Sequence, residues 1–342
     1  MSNFDNMDSY TFLDNVFSFE GAVSTEVNEE YCMPWRIQFK EKELFPVIKD
    51  RVGRFCSGVR LCFKTDSENI VLELAGLDEA EEADGSMLLD IFIDGEFNRQ
   101  VKVMDLSPIK VEGLSSSLKG VEIWLKQNQS FKLKRLYVDN GATISKALNK
   151  KKRWIHYGSS ISQSNAASSP SKTWAAMTAQ KLNLHLTNLG LSGECVFDPM
   201  IGMQISELPA DYITLKLGIN AYPGLQTKRM FAPCVIGLIK QIREKHPYTP
   251  MTVISPIYCG PRENEQGSCG LSLSEMREIL EGIVNSFKGY GDTNIYYLSG
   301  LEILGEDNSQ HLPDMLHPDA EAQYIMAENF IKKVFYRMPR IL

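Results

Sequence analysis

The pattern of apolar and polar residues changes character along the chain. From about Gly58 to Asp139, apolar and polar positions alternate in short runs separated by polar turns, which is typical of half-buried strands. These runs are Val59–Lys64, Ile70–Leu74, Leu89–Ile93, Val121–Leu125 and Phe131–Val138. Asp94-Gly95 predicts a tight hairpin, because both residues tolerate positive φ. Many short strands without helical periodicity predict an antiparallel, jelly-roll-like β-sandwich over residues 1–148.

The remainder of the chain, residues 149–342, alternates strand-like and helix-like segments. The predicted strands are Trp154–Tyr157, His185–Asn188, Ile213–Leu217, Met251–Ile254 and Asn294–Leu298, and the predicted helices cover about 173–182, 231–244, 272–287 and 319–335. Ser272 followed by Glu275 predicts a capping box at the start of the third helix. Such alternation favours an α/β fold with a mostly parallel sheet and helices on both faces, in which sites form at the carboxyl ends of the strands.

Composition and charge exclude several classes of function. The formal net charge of −7 over 342 residues disfavours general nucleic-acid binding, and no run approaches the roughly 20 apolar residues of a membrane span. Met1–Val23 is acidic and does not resemble a secretory signal, and the seven cysteines include no C-x-x-C pair. We therefore expect a cytoplasmic protein with free thiols. The histidine spacing indicates no metal site, and no glycine-rich nucleotide motif is present, so no cofactor is predicted.

Four short motifs carry candidate chemistry. They are Gly158–Ser162, Asn188–Gly193, Gly218–Asn220 and Asp314–Pro318. The first three follow or end predicted strands, where a serine can project from a turn, a glycine can expose its N–H, and an asparagine can donate its amide. The last contains Asp314 and His317, a spacing at which a carboxylate can orient an imidazole. Taken singly, each motif is better explained as a turn or a helix cap.

Taken in order, the four motifs resemble the characteristic blocks of the SGNH, or GDSL, hydrolase family. Segments in the first half are similar to a bacterial branch with a β-sandwich ahead of the catalytic domain, which includes natural-product acyltransferases: Met33–Arg36, Gly58–Leu61, Phe92–Glu96 and Val121–Leu125. The resemblance implies a flavodoxin-like, three-layer α/β/α SGNH domain after the sandwich.

The resemblance also implies roles for individual residues. Ser160 would be the nucleophile, His317 the base and Asp314 the group that orients it. The Ser160 and Gly193 N–H groups and the Asn220 amide would form the oxyanion hole. Three positions depart from the family pattern: Ser159 replaces an aspartate, Ala221 replaces an aspartate found in many members, and Glu194 adds a carboxylate beside Gly193.

Other residues near these motifs have simpler interpretations. Glu194 and Tyr222 are candidate substrate contacts, and the segments 222–230 and 258–271 are expected to shape the pocket. His156 is predicted to be a structural histidine in a strand, His311 a residue at the rim of the site, and Cys195 a small buried filler.

The sequence therefore predicts an esterase or acylhydrolase that works through an acyl-Ser160 intermediate on a small-molecule acyl ester. One alternative is an acyltransferase that moves the acyl group to a hydroxyl or amine acceptor on a small molecule or natural product. Another, of a different class, is a binding protein that keeps the SGNH fold without activity.

Overall fold

The computed structural model describes residue 4 and residues 6–77 and 87–337. The chain forms two compact units, the first from Met1–Lys42, Lys49–Lys150 and Ser169–Ser171, the second from Glu43–Ile48, Lys151–Ser168 and Lys172–Leu342. Residues 43–48 belong to the second unit and residues 169–171 to the first. The hydrophobic pattern does not predict either assignment. Within the described ranges, no helix is both long enough and apolar enough to cross a membrane.

The first unit is a β-sandwich of two antiparallel sheets. Its described strands are β1 (Met7–Tyr10), β2 (Ser18–Glu20), β3 (Ser24–Val27), β4 (Cys32–Trp35), β5 (Arg60–Thr65), β6 (Ile70–Leu77), β7 (Met87–Ile93), β8 (Glu96–Val103), β9 (Ile109–Val111), β10 (Lys119–Trp124), β11 (Phe131–Asp139) and β12 (Ile144–Ser145). One sheet has the order β3-β4-β11-β6-β9 with β1 paired to β11, and the other has the order β12-β5-β10-β7-β8 with β2 paired to β5. The predicted sandwich is confirmed, as is the hairpin at Asp94 and Gly95, which have φ of 52° and 86° and join β7 to β8.

A β-bulge in β11 keeps its apolar residues on the core side of the sheet. Phe131 and Leu133 are buried two residues apart, whereas the next buried residues, Leu136 and Val138, are out of step with them by one position. The pairing of β11 with β6 shifts register between Leu133 and Arg135. An extra residue at this point reverses the alternation, so both halves of the strand face the same core.

The second unit contains a five-stranded parallel sheet. Its strands are β13 (Lys152–Gly158), β14 (Leu184–Gly190), β15 (Tyr212–Lys216), β16 (Met251–Ile254) and β17 (Ile295–Leu298), and its α-helices are α1 (Ser160–Gln163), α2 (Trp174–Lys181), α3 (Pro199–Glu207), α4 (Lys228–Lys245), α5 (Leu273–Gly289) and α6 (Ala320–Lys333). The strand order is β14-β13-β15-β16-β17. The chain passes from β13 to one neighbour and then to the other, so the carboxyl ends of β13, β14 and β15 meet at a topological switch point. The α/β prediction is confirmed, and so is the capping box of α5.

Helices cover both faces of this sheet, as the contacts of Trp154 and Tyr157 on opposite faces of β13 show. Trp154 packs against Trp174 of α2 and Phe330 of α6, with ring centroids 6.4 and 5.4 Å apart. Tyr157 faces the other way, and its hydroxyl accepts a hydrogen bond of 3.4 Å from the N–H of Phe197. The Phe197 ring in turn contacts Phe231 of α4. The sheet is therefore the central layer of an α/β/α arrangement.

His156 is a fully buried residue that connects three elements of this core. Its Nδ1 lies 2.8 Å from the Thr214 hydroxyl on β15, and its Nε2 lies 2.7 Å from the Ser162 hydroxyl on α1. Burial, together with the nearby charge of Lys216, lowers the pKa of the His156 imidazole to about 3. His156 is therefore neutral at ordinary pH and acts as a structural connector, as the sequence predicted.

The buried imidazole makes stability depend on pH. The unfolded chain binds a proton at His156 near pH 6.5, whereas the folded chain does so only near pH 3, so acid favours unfolding. This contribution is complete above about pH 6.5 and is lost as the pH falls from there towards 3, by up to about 1.4 kcal/mol per pH unit. We expect His156→Gln to remove this part of the pH dependence, measured as the free energy of unfolding in urea between pH 7 and pH 4.5. Equal slopes for the variant and the wild-type protein would contradict the assignment.

Candidate active site

Ser160 lies at the first turn after β13. Ser159 caps α1, since its hydroxyl accepts a hydrogen bond from the N–H of Ile161 at 3.3 Å. Ser160 is the first residue of the helix and is half-buried, so its hydroxyl projects from the end of the strand. The serine that replaces the family's aspartate at position 159 thus still caps the helix. The N–H groups of a first helical turn have no partner within the helix, which leaves the Ser160 N–H available to a ligand.

The turn that carries Ser160 is held by the neighbouring strand β14. Gly190 packs so tightly on α1 that a Cβ atom there would overlap the Gln163 nitrogen and the Ser162 carbonyl. Asn188 donates its side-chain amide to the Ser162 carbonyl at 2.9 Å and accepts the Gly190 N–H at 2.9 Å. Close backbone packing of this kind requires glycine at position 190. The direction of the Ser160 side chain is therefore set by the sheet.

Asp314 and His317 lie on the loop that precedes α6, and the structure brings both to Ser160. The Ser160 Oγ lies 2.9 Å from His317 Nε2, and His317 Nδ1 lies 2.5 Å from Asp314 Oδ2. The other carboxylate oxygen accepts the N–H groups of Leu316 at 3.0 Å and of His317 at 2.6 Å. Met315 adopts a left-handed φ of 57°, which turns the chain between the two side chains. The three groups form one line, from hydroxyl to imidazole to carboxylate.

The environment of Asp314 favours its ionised form. Partial burial alone would raise the pKa of this carboxyl, but hydrogen bonds from the His317 backbone and imidazole outweigh burial and hold the pKa below its ordinary value. The carboxylate is therefore charged at neutral pH and can stabilise a protonated imidazole. The side chains of His317 and Asp314 are 40% and 52% exposed, so water reaches this half of the site.

The two remaining oxyanion candidates follow the strands on either side of β13. Gly193 has a φ of 80° and lies in the turn after β14, and Asn220 follows β15. The Asn220 side-chain oxygen accepts the Cys195 N–H at 3.1 Å, which fixes the amide so that its nitrogen is the end left to donate. The N–H of Ser192 donates to the Gln163 side chain at 3.2 Å and so ties the Gly193 turn to α1.

The other residues singled out in the sequence have defined positions. Glu194 is half-buried in the Gly193 turn, and Tyr222 donates its hydroxyl to the Glu265 carbonyl at 3.2 Å. His311 Nδ1 lies 3.2 Å from the Asp319 carboxylate, a contact that closes the Asp314–His317 loop at its base. Cys195 is buried, and burial raises the pKa of its thiol to about 12, so it is not an activated nucleophile.

Sequence reasoning missed residues that support the site without belonging to its motifs. Gln163 contacts the Gly193 turn, and Arg262 donates to the Met315 carbonyl at 3.0 Å. These contacts join residues 29 and 53 positions apart, so no local pattern indicates them. Across the described ranges, no group of three or more His, Cys, Asp or Glu side chains is arranged to hold a metal ion.

Comparison with known proteins places this geometry in context. The model of the GDSL-like lipase/acylhydrolase family matches residues 151–334, and the model of the SsfX3 N-terminal domain matches residues 17–134. The salicylyl-acyltransferase SsfX3 from a tetracycline biosynthetic pathway is 29% identical, with a TM-score of 0.90 over 97% of this chain and 98% of that one. No curated protein matches the chain.

More distant structures share the fold. A protein from Bacteroides ovatus assigned as a GDSL-like lipase is 20% identical, with a TM-score of 0.78 over 97% of this chain and 98% of that one. A family two carbohydrate esterase from Cellvibrio japonicus is 13% identical, with a TM-score of 0.67 over 96% and 97% of the two chains. The family match over more than half of the chain is decisive: this protein is an enzyme of esterase or acyltransferase chemistry and belongs to the GDSL-like lipase/acylhydrolase family.

Proposed function

We propose that the protein is a serine esterase that hydrolyses small-molecule acyl esters through an acyl-Ser160 intermediate. His317 takes the proton of Ser160 as the hydroxyl attacks the ester carbonyl, and Asp314 stabilises the imidazolium that forms. The alcohol leaves with the proton from His317. Water then attacks the acyl-enzyme, with His317 as the base again, and releases the acid and free Ser160.

One observation carries this proposal: the continuous line of hydrogen bonds from Ser160 through His317 to Asp314. The two distances, 2.9 and 2.5 Å, place the imidazole within proton-transfer reach of both neighbours. Each proton in the cycle moves between these residues, the substrate and the attacking water, so the steps balance without a further co-reactant. The intact line also argues against an inactive binding protein, because such a protein has no need of an imidazole held between a carboxylate and a serine.

The groups proposed to hold the oxyanion come from three adjacent elements. The Ser160 and Gly193 N–H groups and the Asn220 amide lie at the carboxyl ends of β13, β14 and β15. Donors that are already fixed before reaction stabilise the developing negative charge without reorganisation. The hydrogen bond from Cys195 to Asn220 supplies such fixing for the amide. Glu194 and Tyr222, beside Gly193 and Asn220 in the chain, are proposed to contact the substrate.

A second candidate function, acyl transfer to a hydroxyl or amine of a small molecule, rests on a different observation. The similarity to a salicylyl-acyltransferase extends over both halves of the chain, not only over the catalytic unit. The chemistry at Ser160 is the same in both functions until the acyl-enzyme has formed. The exposure of His317 and Asp314 favours water as the acceptor, which is why hydrolysis is our first proposal.

Replacing the nucleophile tests the mechanism. We expect Ser160→Ala to lower kcat for p-nitrophenyl acetate by about 10⁴-fold or more, because Ser160 supplies the hydroxyl that contacts the His317 imidazole. Ser286→Ala, which removes an exposed serine hydroxyl on α5, should keep wild-type turnover and serves as the matched control. Persistent activity in the Ser160 variant, with normal folding, would show that the nucleophile is elsewhere.

The Asn220 side chain has two parts: an amide nitrogen proposed to donate to the oxyanion, and an oxygen that accepts the Cys195 N–H. Two substitutions test these parts separately. Both Asn220→Ala and Asn220→Asp lose the amide donor and should lower kcat by about 10²–10³-fold with little change in KM. Asn220→Asp keeps an oxygen for the Cys195 N–H, so only the alanine variant should lose stability, by about 1 kcal/mol in urea unfolding. An alanine variant with normal kcat would exclude Asn220 from the oxyanion hole.

The acceptor is identified by the time course of p-nitrophenol release from acetyl to octanoyl esters. An esterase gives steady release with water alone, and the dependence on chain length measures the acyl pocket. A transferase instead gives a burst of about one equivalent of p-nitrophenol per enzyme and then stops until a hydroxyl or amine acceptor is added. We expect steady release, and a burst would favour the second candidate.

A further inference from the structure

The loop that carries the acid and base of the proposed mechanism is held at a backbone carbonyl. Met315 lies between Asp314 and His317 and is 57% exposed, so its side chain is not the anchor. Its carbonyl accepts two hydrogen bonds, one from Arg262 Nη1 at 3.0 Å and one from Cys259 Sγ at 2.8 Å. Arg262 Nη1 also lies 3.2 Å from the Cys259 sulfur. Two donors thus converge on one oxygen in the middle of the loop.

One of the two donors, Cys259, is itself fixed by a buried ion pair. Glu263 accepts the Cys259 N–H at 2.9 Å and forms a bidentate pair with Arg277 on α5, with distances of 2.6 and 2.9 Å. Arg277 is 8% exposed and also donates to the carbonyls of Pro256 and Ile257. A bidentate guanidinium–carboxylate pair fixes orientation as well as distance. A series of contacts therefore runs from Arg277 on α5 through Glu263 and Cys259 to the Met315 carbonyl.

The protonation state of the Cys259 thiol is consistent with its role as a hydrogen-bond donor to the Met315 carbonyl. Burial raises the pKa of its thiol, although Arg262 opposes this shift, so the sulfur keeps its proton at neutral pH. A protonated thiol can donate to a carbonyl, whereas a thiolate would be repelled by it. The Arg262 guanidinium is also placed by the Tyr222 ring, 6.0 Å from its centre.

We propose that Arg262 and Cys259, of which Cys259 is held by the Glu263–Arg277 ion pair, are positioning residues that hold the Met315 carbonyl and thereby keep His317 and Asp314 aligned with Ser160. This inference rests on the proposed function of those three residues. Displacement of a catalytic group by about 1 Å can cost around 10²-fold in rate, so the anchor acts on kcat and not on substrate affinity. The imidazole should also lose part of its contact with the Asp314 carboxylate when the anchor is removed.

The test uses Arg262→Met in the full chain. We expect kcat for p-nitrophenyl acetate to fall by about 10- to 100-fold, with KM within about twofold of wild type. Arg262→Lys, which keeps one charged donor, should recover part of the rate. Cys259→Ser should stay nearer to wild type than Cys259→Ala.

Arg153→Met is the matched control, since it removes a half-exposed arginine that pairs with Asp211 at the amino end of β13. This variant should leave kcat and KM unchanged. A wild-type kcat in Arg262→Met would overturn the proposal. So would a rise in KM limited to esters with a carboxylate on the acyl chain, since Arg262 would then bind substrate. If His317→Ala remains active, the proposed function fails by itself. If His317→Ala is inactive and Arg262→Met is normal, only the positioning role fails.

Discussion

The parallel pairing of β13 with both β14 and β15 determines where the groups of the proposed chemistry lie. Register places Gly158 opposite Gly190 and His156 opposite Thr214, so the three strands end at nearly the same level. The turns that follow must then occupy one small region, and Gly190 lets α1 approach the sheet at backbone distance. The positions of Ser160, Gly193 and Asn220 follow from this pairing together with the short turns after each strand.

The proposed nucleophile and its proposed base are supported in different ways. Ser160 is held by the sheet itself, through Asn188, Gly190 and the buried His156 beneath α1. Asp314 and His317 lie on an exposed loop, where alignment depends on individual hydrogen bonds to a carbonyl and to a carboxylate. Substitutions in the sheet should therefore affect stability and activity together, whereas substitutions around the loop can change activity in a protein that remains folded.

The sequence predicted the parts of the fold that have a strong local period. The alternating runs correspond to β5, β6, β7, β10 and β11, and the predicted Ser272–Glu275 capping box lies at the start of α5. The pattern missed the short strands β1 to β4, which are too brief to show alternation, and α3, although Asp198 followed by Pro199 is an adequate start signal. The sequence indicated the contact between Asp314 and His317 because the two residues are only three positions apart. It did not indicate the contact between Arg262 and the loop, because that contact forms only in the folded tertiary structure.

The long separation between Ser160 and His317 has a consequence for the newly made chain. Their contact spans 157 positions, and the strands β14 to β17 lie between them. A ribosome adding about 5 to 20 residues per second needs roughly 8 to 30 seconds to synthesise this interval. During that time Ser160 is present without His317, its proposed base. Under the proposed mechanism, the three groups come together only after the chain has been made as far as His317 and has packed beside the sheet.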